Sequence, residues 1–214
     1  MSGPERMRTE TQAFKRDRIL QAAMTLFYAR GYSATTLDDV AAALGVTKPF
    51  IYTYFRGKAD LLAALCTPTI DLSLQAVAAA ASSPGSPTER LRRAMVDFTK
   101  VVLSRQANIA IFFREEKSLE PAALAEITSL RRRFDRVLSA LLADGVAAGE
   151  FDIPDVSLAA LAIGGMISWA YTWHRPNGRL PLEPLCEHMA DLALRMAGAG
   201  SPVHSHDNAS ASCG

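Results

Sequence analysis

Apolar residues recur at steps of three and four along nearly the whole chain, and alternating apolar–polar runs rich in β-branched residues are absent, which is the period of helices and not of strands. The pattern predicts an all-α protein of about nine helices. A first helix over residues 12–30 gathers Ile19, Ala22, Ala23, Leu26 and Phe27 on one face, and Gly31 is placed to end it in a left-handed cap. Two short helices follow. A longer one begins near Lys58 and carries Leu61, Leu62, Leu65, Ile70, Leu74 and Val77, with Pro68 predicted to kink or break it. Residues 82–87 (SSPGSP) read as a loop. Ser86, Pro87 and Glu89 then supply an N-cap, a first-turn proline and a capping-box acid for a helix to about Arg105. Further helices are predicted over 106–117, 119–148, 155–174 and 182–197, the last two separated by the turn Arg175-Pro176-Asn177-Gly178. Residues 1–11 and 199–214 lack a periodic apolar face and are expected to be flexible tails.

The most informative stretch is 37–55, LDDVAAALGVTKPFIYTYF. Counted from Leu37, its fifth residue is Ala41, its ninth Gly45 and its fifteenth Ile51. A helix-turn-helix needs a small residue where its helices cross, a residue tolerant of positive φ in the tight turn, and an apolar plug between the helices. Thr36 with Asp39 can cap the first helix and Thr47 the second. The second helix, 48–54, would be the recognition helix, its start presented to the major groove. Thr47, Lys48, Pro49, Phe50 and Thr53 are candidates for base edges or a thymine methyl. Tyr52 and Tyr54 suit phosphate oxygens, and Lys58 with the backbone N–H groups at the next helix start suits another. With Thr36 these nine residues form the expected DNA-facing set. A helical hairpin with an aromatic core is the bland alternative.

Net charge changes this picture only when it is divided. The whole chain carries +1, yet residues 1–60 hold nine basic side chains against six acidic ones, so the basic excess lies in the head. Cys66, Cys186 and Cys213 are odd in number and form no CxxC pair, so neither a disulfide framework nor a zinc cluster is expected, and a reducing cytoplasm is the default. Cys66 and Cys186 read as buried thiols, and His204 and His206 as part of the tail. No apolar core of a signal peptide is present in residues 1–18. Residues 156–174 carry no formal charge, but their polar residues and the Gly164-Gly165 pair make a buried bundle or interface helix the better reading than a membrane span.

Residues 19–62, ILQAAMTLFYARGYSATTLDDVAAALGVTKPFIYTYFRGKADLL, closely resemble the N-terminal domain of TetR/AcrR-type transcriptional repressors without a gap. Phe27, Gly31, Tyr32, Thr35, Thr36, Ala41, Gly45, Val46, Tyr52, Tyr54, Phe55, Lys58 and Leu61 stand where that family has them. Pro49-Phe50 departs, since the family more often follows Gly or Pro with a small or polar residue, and this leaves the operator sequence open. The resemblance implies a helix-turn-helix domain over residues 12–60, an effector-binding and dimerisation domain over 61–198, and a homodimer on a palindromic double-stranded DNA operator. It assigns 155–174 and 182–197 to the dimer seam. Ala159, Ala160, Ala162, Gly164 and Gly165 allow close approach there, and Leu185, Met189, Leu192 and Met196 form a stripe.

Residues 111–117 and 166–178 look like the corresponding stretches of family members that regulate lipid, steroid and aromatic-acid catabolism, several of which sense acyl-CoA thioesters. An acyl-CoA needs an apolar tunnel and cations for its phosphates. Phe98, Phe112, Phe113, Met166, Trp169 and Trp173 are the tunnel candidates. Arg92, Arg93, Arg131, Arg132, Arg133, Arg136 or Arg175 are the cation candidates, with Glu116 at the same site. Core packing and solvated charge explain the same residues without a ligand. A lipophilic-drug sensor controlling an efflux pump, an all-α enzyme with a hydrophobic substrate and a protein-binding scaffold remain as alternatives. No HExxH, nucleophile elbow or P-loop is present, so no catalytic residue, metal or cofactor is assigned.

Overall fold

The computed structural model describes residues 3–200, with side chains from residue 11 on, and every regular element in them is helical. The α-helices are α1 (Gly3–Arg30), α2 (Leu37–Leu44), α3 (Lys48–Tyr52), α4 (Lys58–Ala81), α5 (Pro87–Ser104), α6 (Gln106–Glu115), α7 (Pro121–Ala147), α8 (Val156–Ser168) and α9 (Leu182–Met196). Single 3-10 turns, Glu116–Ser118 and Trp169–Thr172, follow α6 and α8.

Three boundaries differ from the sequence reading. Helix α1 starts at Gly3 rather than near residue 12, so residues 3–11 are helical and not a tail. Their Glu, Arg and Met residues are good helix formers that show no apolar period. Pro68 lies inside an uninterrupted α4. The loss of a hydrogen bond there is outweighed by packing at both ends of the helix, Leu61, Leu62 and Leu65 in one core and Leu74, Val77 and Ala80 in the other. The helix expected over 155–174 stops at Ser168 and tightens into the Trp169–Thr172 turn. Its end is held by the Gln106 amide, which donates to the carbonyls of Tyr171 (2.6 Å) and His174 (3.1 Å). By length and composition α4, not α8, could cross a membrane, but it is the central helix packed between α5 and α7.

The start of α5 is as its sequence dictates. The Ser86 hydroxyl accepts from the Glu89 amide (3.3 Å), the Glu89 carboxylate accepts from the Ser86 amide (3.0 Å), and Pro87 occupies the first turn.

Apolar burial divides into two clusters. One joins α1–α3 to the first half of α4 and takes in Ile111 and Phe112 of α6 with Ile127 of α7. The other holds the second half of α4 with α5, α7, α8 and α9. Helices α4 and α7 therefore belong to both, and the head's core extends past residue 60. Where α7 ends, a Cβ added at Gly145 would fall inside the ring of buried Phe151. Gly145→Ala is expected to cost about 1–3 kcal/mol through overpacking, although alanine is the better helix former. Urea denaturation checks this, and a neutral or stabilising result would place Phe151 elsewhere.

Candidate DNA-reading head and effector cavity

The head is built by capping. Thr36 is extended (φ −106°, ψ 166°), and its hydroxyl accepts from the Asp39 amide (3.1 Å). The Asp39 carboxylate accepts in return from the Thr36 amide (2.7 Å) and hydroxyl (2.6 Å). Helix α2 closes at Gly45 (φ 66°), with Gly45 N–H donating to Ala42 O and Val46 N–H to Ala41 O, the two bonds of a Schellman closure. Only a residue tolerant of that φ makes the turn short enough for α3 to cross α2 over Ala41, which is buried along with Val40 and Ile51. Thr47 makes no side-chain cap, contrary to expectation: α3 spans only Lys48–Tyr52 and carries Pro49 in its first turn, which has no N–H to satisfy.

The Thr36 hydrogen bonds hold the Asp39 carboxyl below its ordinary range, the side-chain bond first and the backbone bond second. A depressed carboxylate stabilises the folded state above its unfolded pKa and loses that contribution as pH falls through the folded value. Thr36→Ala removes the N-cap and is expected to cost about 1 kcal/mol at neutral pH, the usual worth of such a cap. In thermal melts across pH the difference should narrow on acidification; a constant difference would mean that the carboxylate takes no part.

Thr36, Thr47, Pro49, Tyr52 and Thr53 are exposed around α3. The Lys48 ammonium is paired with Asp38 (2.8 Å), and that carboxylate keeps it protonated above its ordinary range. Phe50 is exposed only in part and its ring packs on Tyr54 at 5.3 Å, so some of its apolar surface is already used within the head. Lys58 has a different setting from the one expected. Its ammonium donates to Tyr32 O (2.9 Å) and sits 4.2 Å from the centre of the Tyr32 ring, bracing the α1–α2 loop. What α4 offers a phosphate in this conformation is its backbone N–H groups behind Gly57, which has no side chain to cap them.

In the body, a cavity of about 290 Å³ is enclosed by α4 (Ile70, Ser73), α5 (Phe98, Val102), α6 (Ile109, Phe112, Phe113), α7 (Arg131, Phe134, Asp135) and α8 with its turn. The wall from α8 is Leu161, Gly164, Gly165, Ser168 and Trp169. Five of the sequence candidates, Phe98, Phe112, Phe113, Arg131 and Trp169, thus meet at one cavity. Glu116 is one contact away, paired with Arg131 at 3.5 Å. Met166 packs into the body core, Trp173 is exposed outside the cavity, and the Arg175 guanidinium donates to the carbonyls of Thr172 and His174. Asp135 carries no sequence signal, and Gly164 and Gly165, expected at the dimer seam, reach the cavity because the α7–α8 crossing turns them inward. Phe113 stacks on Tyr171 (5.5 Å, 4°) and Trp169 meets both edge-on, forming an aromatic rim.

Helix α6 is fastened to everything around it. Asn108 donates to Leu65 O of α4 (3.0 Å). At its far end Arg114 donates to Phe27 O (2.8 Å) and Tyr28 O (3.3 Å), and Glu115 accepts from Tyr32 N–H (3.4 Å). Burial, then the Glu115 and Glu120 carboxylates, push the Tyr32 hydroxyl above its ordinary pKa. The α6 residues that hold the end of α1 adjoin those that line the cavity. No sequence signal distinguished Arg114 and Glu115 from solvated charge.

The two free cysteines among the described residues are both buried. Burial pushes the Cys66 thiol up to about 12 and raises Cys186 as well, as expected for thiols packed in helices. Among the described residues no group of three or more His, Cys, Asp or Glu side chains could hold a metal ion. Cys213, His204 and His206 lie outside the described residues.

A helix-turn-helix head with an exposed, short recognition helix, joined to a helical body containing a ligand-sized cavity, defines a DNA-binding transcriptional regulator. Residues 19–65 match the family model for bacterial regulatory proteins of the tetR family, and residues 84–197 match the tetracyclin repressor-like C-terminal domain. The chain belongs to the TetR family. It is similar to the TetR-family transcriptional regulator PfmR of Thermus thermophilus, with a TM-score of 0.77 and 32% identity over 83% of this chain and 97% of that one. The HTH-type transcriptional repressor KstR2 of Mycolicibacterium smegmatis is 26% identical over 185 residues, 85% of this chain and 90% of that protein. AibR, solved in complex with isovaleryl coenzyme A and operator DNA, has a TM-score of 0.70 and 27% identity over 85% of this chain and 96% of that one.

Proposed function

We propose that this protein is a ligand-responsive repressor that binds a palindromic operator as a homodimer in the cytoplasm and is released by a hydrophobic acyl group presented as its CoA thioester. The observation that carries the reading is α6, which walls the cavity with Ile109, Phe112 and Phe113 and bonds the end of α1 through Arg114 and Glu115. A ligand that moves α6 must move α1 or break those bonds. The effector then favours a conformation whose two heads no longer match successive major grooves, which lie about 34–36 Å apart.

Homodimerisation is supported by an apolar face on α8 and α9 that the described residues leave uncovered: Leu158 and Leu161 are 64% and 59% exposed, Leu192 and Met196 43% and 42%. This face differs from the expected stripe, because Leu185 and Met189 turn into the chain's own core. Support for a CoA thioester comes from the likeness to AibR and from cavity size. Ligand cavities run from roughly 300 to 1,000 Å³, so this one suits an acyl group while the nucleotide portion stays outside. Arg131, the cavity's basic side chain, is paired with Glu116, so an anion on the ligand would compete with that carboxylate for it.

Fluorescence anisotropy with DNA flanking the protein's own gene tests the reading. Specific binding that weakens steeply with salt, and release by CoA thioesters where the free acids do nothing, is the expected result. Equal response to acid and thioester would remove the CoA moiety, and release only by lipophilic drugs would make the protein an efflux-type sensor. Affinity no greater than for random DNA would sink the regulator reading. Product analysis after incubation with acyl-CoAs would expose an enzyme.

A further inference from the structure

The cavity is apolar on most sides, where residues such as Ile70, Phe98, Val102, Phe112 and Phe134 meet, and its hydroxyl-bearing or charged side chains are Ser73, Arg131, Asp135 and Ser168. Two of these are already committed. The Ser73 hydroxyl donates to Thr69 O (3.0 Å), and the Arg131 guanidinium pairs with Glu116 (3.5 Å) near the Phe112 ring. Asp135 is different. It follows Arg131 by one turn of α7 and is half-buried, and its carboxylate has no hydrogen bond or ion pair among the described residues. The strongest unmet group in the cavity is thus a charged acceptor.

Resting on the reading of this cavity as the effector site, we propose that Asp135 sets its specificity, selecting an effector whose apolar chain carries a hydroxyl. A chain that fills the cavity strips water from the carboxylate. If that chain is a plain hydrocarbon, a charged group loses its hydration with nothing in exchange, which is the costly case. A hydroxyl on the chain donates to the carboxylate and replaces the lost water. A chain ending in a carboxylate brings a like charge to Asp135, and Arg131 offsets it poorly because Glu116 already holds that guanidinium. An ammonium is the other donor that suits a carboxylate, but it gives up far more hydration than a hydroxyl on entering a cavity walled by aliphatic and aromatic side chains. One residue therefore both favours a hydroxylated chain and disfavours a free acid.

Trp169 lines the cavity and Trp173, the chain's other tryptophan, does not, so in full-length Trp173→Phe protein the fluorescence of Trp169 reports occupancy. The probes are 1-octanol, its isomer heptyl methyl ether, octanoate and octylammonium. Octanol should bind about 10-fold more tightly than the ether, which has similar bulk and no donor, and octanoate should bind weakest. Adding Asp135→Leu should abolish the preference for the alcohol. Asp135→Asn, which keeps an acceptor oxygen without the charge, should retain part of it and admit octanoate more readily. Ether binding, which asks nothing of Asp135, shows that each variant keeps its cavity. Equal affinity for alcohol and ether, a preference that survives Asp135→Leu, binding of neither probe, or octylammonium bound more tightly than octanol overturns the proposal. Operator titrations with octanoyl-CoA separate it from the functional reading. A preference for octanol with no response to the thioester leaves the role of Asp135 standing and sinks the CoA reading; release by octanoyl-CoA with no preference for the alcohol does the reverse.

Discussion

Phe112→Ala is expected to destabilise the protein by about 3–5 kcal/mol, the usual cost of emptying a buried aromatic site. Phe112 is 1% exposed and has two duties: it packs in the head cluster with Ile111 and Ile127, and its ring forms part of the cavity wall. The void left by truncation would have α1, α4 and α6 around it, and none can close it without breaking the hydrogen bonds that fasten α6. Denaturation at a fixed protein concentration measures the cost, since the stability of the proposed homodimer would depend on concentration. Phe113→Ala is the informative contrast. That ring is partly exposed and stacks on Tyr171, so its loss should cost far less stability while weakening the response to effector. Equal costs for the two would mean that head and body do not share a packed junction at Phe112.

Lys48→Ala and Tyr52→Phe are expected to weaken operator binding by about 10-fold or more each, from the roughly 1–3 kcal/mol that a DNA contact is worth, with little loss of stability. The Lys48–Asp38 pair is exposed, and such pairs contribute only about 0–1 kcal/mol, so folding does not depend on it. On the proposed reading Asp38, which pairs with the lysine in the free head, competes with DNA for it. Asp38→Asn should therefore strengthen binding, opposite in sign to Lys48→Ala. If Lys48 contacts a phosphate, its loss should also lower the salt slope by about 1. Tyr52 is exposed on α3, and phenylalanine keeps its ring while removing only the hydroxyl. Normal affinity in both variants, measured by anisotropy at two salt concentrations, would move the DNA-reading surface away from α3.

The head was legible residue by residue because its constraints are local. A capping box needs Thr36 and Asp39 three apart, a left-handed closure needs Gly45, and a crossing needs Ala41. Each of these is satisfied within a few residues of chain. The recognition helix is two residues shorter than its sequence pattern predicts, and Thr47 makes no cap, because Pro49 removes one of the donors a cap would satisfy.

The body was legible only as helices. Its apolar period marked α5, α7 and α9, but a helix has more than one apolar neighbour, and periodicity does not say which face meets which. Leu185, Met189, Leu192 and Met196 read as one stripe; packing on α5 turns the first two inward and leaves the last two outside. Charged residues were least legible of all. Arg114 and Glu115 looked like surface charge, yet they hold the end of α1, which lies more than eighty positions away in sequence.

By itself, then, the sequence determined an all-helical chain with a basic head whose turn chemistry admits one local structure, because those signals act over three to nine residues. The tertiary structure decided what that head is joined to. It placed α6 between the cavity and α1, divided α8 between cavity wall and open face, and brought Phe98, Phe112, Phe113 and Trp169 together. Those relations depend on how helices cross, which is set by packing between residues distant along the chain.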